Sequence, residues 1–284
     1  LGERTPQSLT LLEEFFSEEH TTARTIMSWR RQKEALQSDH LFGKIMVSVG
    51  EDDLSWTALE QAVIVAQREQ GQVRGLHVVT AETDQVDMLE GFDQRVGQAN
   101  VKGELAFEMG ELYTTINERS RWSDLVVLSL NDPPSGQILE RMNSGWRNVL
   151  LNVARPVLAV PKVTGMNKAL LAYDGSPKAN EALYVAAYVA RTWQIPLVVV
   201  AREKTQQLEA WEKAQAYLTA QGIEPEYVTY KGDAAINILL TASQMDCDFI
   251  LMGGYGSTGV VELFTGSTVD QVLRNAICPV LICR

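Results

Sequence analysis

A chain of 284 residues is longer than one compact core usually needs, so two domains of about 120 to 140 residues are expected. With 25 Lys+Arg against 36 Asp+Glu, the net charge of -11 argues against a protein built on phosphate-backbone contacts, and no nucleic-acid partner is expected. The 45% hydrophobic content is that of a globular protein; no run of about 18 apolar residues and no signal-peptide pattern occur, so the expected location is cytoplasmic.

Residues 1–40 come first and stand apart from the rest of the chain. In "TPQSLTLLEEFF", Thr5 can cap a helix with Pro6 at its first position, and Ser17 can cap a second helix carrying Ile26, Met27 and Trp29. Such apolar residues need a covering surface. That surface is the arm's own domain, a docking partner or an upstream domain.

From Lys44 onward the chain repeats itself. "KIMVSVGEDDLSWTALEQAVIVAQ" lies over "KALLAYDGSPKANEALYVAAYVAR" at an offset of 124 without a gap, and the same offset brings "SDLVVL" onto "CDFILM". At an offset of 123, "ARPVLAV" falls on "ICPVLIC". Each unit reads as alternating apolar strands and helices. In the second unit the strands are expected at Leu170–Tyr173, Leu197–Val200, Tyr227–Tyr230, Phe249–Met252 and Val280–Cys283. Apolar runs of this length between helices indicate a parallel sheet covered on both faces, a doubly wound α/β architecture. Functional residues should then follow strand ends, where the winding reverses.

Three loop motifs compete for "GGYGSTGVVELFTGS", residues 253 to 267. "GYGSTG" satisfies GxGxxG, but it follows the fourth strand of its unit, and no acidic residue ends the strand after it. A GxxxxGK loop fails as well, because Val260 and Val261 stand where lysine and a hydroxyl are required. A third spacing fits: Gly253, two residues, Gly256, nine residues, Gly266, then Ser267. Gly253 and Gly256 would let the backbone approach a ligand, while Gly266, Ser267 and Thr268 would open a helix whose amides face a phosphate.

This spacing, together with the repeat, the early strand ending in Asp174 and the closing "CPVLIC" strand, resembles the universal stress protein family over residues 44 to 284. The resemblance implies two doubly wound parallel five-stranded α/β sheets in tandem, with flavodoxin-like layering. The expected division is an arm at 1–40, a degenerate domain at 41–163 and a nucleotide-binding domain at 164–284. It also implies ATP, or AMP or ADP, held by Asp174, Gly253, Gly256, Gly266, Ser267 and Thr268, with Mg²⁺ entering only through the phosphates. Asp174, Gly175 and Ser176 equally suit a turn and helix cap, and that reading stands beside the first. Arg202, near the base position, has three readings: stacking on a base, gripping a phosphate or pointing into solvent.

In the first unit the offsets replace Asp174 with Gly50, Gly253 with Ser129, Gly256 with Asp132 and Gly266 with Asn143, keeping only Ser144 for Ser267. Pro133 and Pro134 remove two amide donors, so this half should not hold ATP the same way; the resemblance implies that it pairs structurally with the other half through "PVLAV" and "PVLIC". No paired cysteine spacing occurs among Cys247, Cys278 and Cys283, and His20, His40 and His77 lack ligand spacing, so neither zinc nor any other metal site is expected. With no loop lysine and no histidine in the second unit, a regulatory nucleotide fits better than turnover, at most a slow ATP hydrolysis. Asp233 is an uncommitted carboxylate suited to capping a helix. The start at Leu1 carries an alternative: the nucleotide-sensing cytosolic tail of a membrane transporter, with homo-oligomers or an upstream membrane domain as partners.

Overall fold

The computed structural model describes residues 40–79, 85–131, 133–134, 145–203, 208–255 and 267–284. The arm up to residue 39, with Thr5 and Ser17, and the loop residues Asp132, Asn143, Ser144, Gly256 and Gly266 lie outside them.

Phe42–Arg284 form one compact unit around a ten-stranded sheet. Its first half runs β1 (Lys44–Ser48), α1 (Asp53–Arg68), β2 (Gln72–Val79), α2 (Val86–Gln98), β3 (Lys102–Met109), α3 (Leu112–Arg119), β4 (Leu125–Ser129), α4 (Gly145–Asn152) and β5 (Val157–Val160). Its second runs β6 (Ala169–Tyr173), α5 (Pro177–Thr192), β7 (Leu197–Arg202), α6 (Leu208–Ala220), β8 (Glu226–Tyr230), α7 (Ala234–Gln244), β9 (Phe249–Gly253), α8 (Thr268–Asn275) and β10 (Val280–Cys283). The five strands expected in the second half are all present, with ends shifted by two residues at most.

The strand order is β3-β2-β1-β4-β5-β10-β9-β6-β7-β8. Each half is therefore a five-stranded parallel sheet that winds outward from β1 or β6, reverses and returns through β4 or β9. One antiparallel pair, β5 with β10, joins the two sheets. Leu158 and Leu281, the same position of the repeat, face each other in that pair, so an approximate two-fold axis passes between them. The final strands meet as the resemblance implied.

Burial explains the parallel arrangement. The central strands β4, β5, β9 and β10 are buried almost throughout, because helices cover both faces of the sheet. One apolar layer holds Leu59, Phe92, Ala186 and Phe249; the other holds Trp146, Val149, Ile238 and Val272. Both layers continue across the seam. A buried carboxylate adds to it: Glu69, at the end of α1, accepts from the Phe42 amide at 2.9 Å, the Tyr188 hydroxyl at 2.9 Å and the Trp193 indole at 2.6 Å. Three donors satisfy a buried acid that would otherwise be costly to desolvate. The repeat reaches the backbone too. Gln70 and Gln194, one offset apart, both adopt the left-handed conformation after their helices, with φ of 47° and 54°.

Candidate functional site

Strand order dictates where a ligand would sit. In the second half the winding reverses between β6 and β9, so their carboxyl ends diverge and leave a crevice. Asp174 follows β6 directly and is exposed. Its Oδ1 accepts from the Ser176 amide at 2.9 Å, and Gly175 takes the positive φ of 77° that this tight turn requires. Ser176 then caps α5, its Oγ accepting from the Ala179 amide at 3.1 Å, with Pro177 opening the helix.

On the other wall, α8 begins at a reciprocal cap. Ser267 Oγ accepts from the Asp270 amide at 3.1 Å, and the Ser267 amide donates to Asp270 Oδ2 at 3.2 Å. Two of the four amides that open a helix are thereby satisfied. Those of Thr268 and Val269 have no partner among the described residues, and the helix end carries partial positive charge. Tyr255 stands beside them, donating from its hydroxyl to Asp270 Oδ1 at 2.5 Å. Burial and the neighbouring Asp270 carboxylate push this phenol far above its ordinary range, so it stays a donor. Burial also raises the Tyr230 phenol.

These walls enclose a cavity of about 230 Å³ lined by Asp174, Ser176, Gly253, Tyr255, Ser267 and Thr268, with Val200, Tyr230 and Met252 at its base. The structure thus brings four of the sequence-predicted residues together: Asp174, Gly253, Ser267 and Thr268. Gly256 and Gly266 lie outside the described residues. Asp174 forms the turn and also lines the cavity. A larger cavity, about 370 Å³, lies over β1, β2 and β3 of the first half between Arg74, Glu104, Arg119 and Trp122, and contains none of the predicted residues.

Gly253 lines the cavity and has, besides the reason the sequence suggested, a packing reason. A Cβ there would lie 2.7 Å from the Lys178 carbonyl carbon and 2.8 Å from the Ala179 amide, so the glycine lets β9 pass close to the first turn of α5. Arg202 donates to the Gly232 carbonyl and does not line the cavity. Asp233 caps α7 through the Ile236 amide at 2.9 Å. Sequence reasoning passed over Tyr255, Tyr230 and Asp270. The S-x-x-D pattern from Ser267 to Asp270 was a readable signal for the last of these.

Comparison with known proteins agrees with this geometry. The family model described as "Universal stress protein family" matches residues 200–284. A universal stress protein of Thermus aquaticus is 36% identical over 132 residues, covering 40% of this chain and 96% of the relative. One from Synechocystis is 27% identical over 166 residues, 57% of this chain, which spans only 58% of that relative's length. Among solved structures, a universal stress protein from Archaeoglobus fulgidus has the same fold, with a TM-score of 0.71 and 20% identity, covering 87% of this chain and 98% of its own. By its repeat, its sheet order and its match to nearly the whole Thermus relative, this chain belongs to the universal stress protein family.

Proposed function

We propose that the second half binds ATP or a related adenine nucleotide, AMP or ADP, and that occupancy acts as a regulatory signal in a cytoplasmic stress-response protein. The observation that carries this reading is the cavity at the β6/β9 reversal. It joins an acidic residue, Asp174, to a helix N-terminus with two amides that have no partner among the described residues. The residues present suit such a ligand. A carboxylate can accept from ribose or base donors, and amides at a helix start can donate to phosphate oxygens without any lysine. The apolar base formed by Val200, Met252 and Ile238 suits a flat base better than a sugar phosphate alone. Mg²⁺ would be held by the phosphates themselves, near Ser267 and Thr268, since among the described residues no group of three His, Cys, Asp or Glu side chains is placed to hold a metal.

The proposal assigns the nucleotide to residues 164–284 and a supporting role to 41–163. Binding would act by favouring one conformation or partner complex over another, by an amount equal to the difference in affinity between the two states. Calorimetric titration with ATP tests it, alongside the Asp174→Ala variant. Saturable binding by the wild type, weakened about tenfold or more in the variant through loss of a charged hydrogen bond, is the expected result. No heat from ATP at millimolar concentration, or an unaffected variant, overturns it.

A further inference from the structure

One side chain of the first half reaches Tyr255 and Asp270, beside the second half's cavity. Arg147, on α4, places its guanidinium nitrogen 3.7 Å from Asp270 Oδ2 and its central carbon 4.9 Å from the centroid of the Tyr255 ring. At the 123-residue offset, Arg147 and Asp270 are the same position of the repeat, the third residue of the last helix in each half. They meet because the approximate two-fold at Leu158 and Leu281 brings the two last helices together. Two copies of the second half paired in this way would set Asp270 against Asp270. Only the mixed pair is electrically complementary.

Asp270 is fully buried, in the first turn of the helix whose Thr268 and Val269 line the cavity. The Tyr255 hydroxyl and the Ser267 amide satisfy its oxygens but leave its charge, and a negative charge there opposes a polyphosphate arriving at the same amides. Arg147, itself mostly buried, is the cation that cancels it. Resting on the nucleotide reading above, we infer that Arg147 is a positioning residue of the anion end of the site: the first half supplies the countercharge that lets the second half's helix accept phosphates. The degenerate half is then an electrostatic component of the site as well as its scaffold.

The test is to titrate ATP and, separately, adenosine into the wild type, Arg147→Met, Asp270→Asn and the double variant. Asparagine keeps one acceptor oxygen, for the Ser267 amide, and presents its NH2 to the Tyr255 hydroxyl, which can accept from it, while removing the charge. Arg147→Met should weaken ATP about tenfold and leave adenosine unchanged, because only the polyphosphate senses the unneutralised carboxylate. The double variant should regain ATP affinity to within about twofold of the wild type, and Asp270→Asn alone should bind ATP at least as tightly as the wild type. The inference is overturned if Arg147→Met binds ATP normally, if it loses adenosine in proportion, or if the double variant is no better than the single. Should Arg147→Met fail to fold, weaker ATP binding by Asp270→Asn alone would overturn it, and undiminished binding would support it. A wild type that binds adenosine and ATP but ignores these substitutions removes only this inference; one that binds neither removes the nucleotide reading and this inference together.

Discussion

The two halves share one topology, yet their strand ends are finished differently. Where the second half has Asp174, Ser176, Tyr255 and Val269 around an open cavity, the first has Gly50, Asp52, Asn131 and Trp146 at the same repeat positions. Asp52 caps α1 as Ser176 caps α5, but it also accepts from the Ser55 hydroxyl at 2.8 Å and from Asn131 Nδ2 at 2.9 Å, which ties the loop after β4 down onto the helix start. A Cβ at Gly50 would lie 2.8 Å from Ser55 Oγ and 3.3 Å from Asp52 Oδ2, so an acid like Asp174 there would have to displace the side chains that form this cap. Trp146 is buried in the core layer where Val269 stands in the other half. Four substitutions on one scaffold thus separate a cavity wall from a hydrogen-bonded loop end.

The largest effect should come from the bulk difference. Trp146→Ala removes a buried indole from a packed layer and should cost about 3–5 kcal/mol in urea unfolding, whereas Val269→Ala should cost about 2 kcal/mol. Equal losses would mean that the indole is not filling volume that the second half leaves open. Next comes the glycine at the end of β9. Gly253→Ser introduces the residue that Ser129 already supplies in the first half, but here its Cβ meets the backbone of α5, and the expected loss is about 1–3 kcal/mol. The reciprocal Ser129→Gly should cost less than about 1 kcal/mol, the usual penalty of added backbone freedom in a strand. If both cost the same, the close approach of β9 to α5 is not what holds the glycine there.

Much of this asymmetry was legible in the sequence, because the repeat puts each difference in register. The strands were readable from apolar runs, and Asp174 from its place after one of them. The packing reason for Gly253 was not, since a ligand and a neighbouring helix ask the same thing of a residue without Cβ, and the approach of α5 to β9 is set by the fold. Tyr255 was hidden inside a glycine motif that drew attention to its flanks. Asp270 had a visible capping pattern, but its partner Arg147 is 123 positions away, and no local pattern announces a contact created by the pairing of β5 with β10.

The smallest expected effect separates the two caps by their chemistry. Burial acts to raise the Asp52 carboxyl, but the hydrogen bonds from Ser55 and Asn131 outweigh it and hold the group below the ordinary carboxylate range. A group depressed in the folded state stabilises fully above its unfolded value and loses that contribution as pH falls through the folded one. Asp52→Ala should therefore cost about 1 kcal/mol at neutral pH, a typical cap loss, and progressively less once the pH falls below about 4. Ser176 does not titrate in this range, so Ser176→Ala should cost a similar amount at both ends of the scale. Urea unfolding of the two variants at pH 7 and pH 3 makes the comparison within one molecule. If the Asp52→Ala penalty is unchanged at pH 3, the charge on that carboxylate is not what ties Asn131 to the helix start, and that network would have to hold through neutral hydrogen bonds alone.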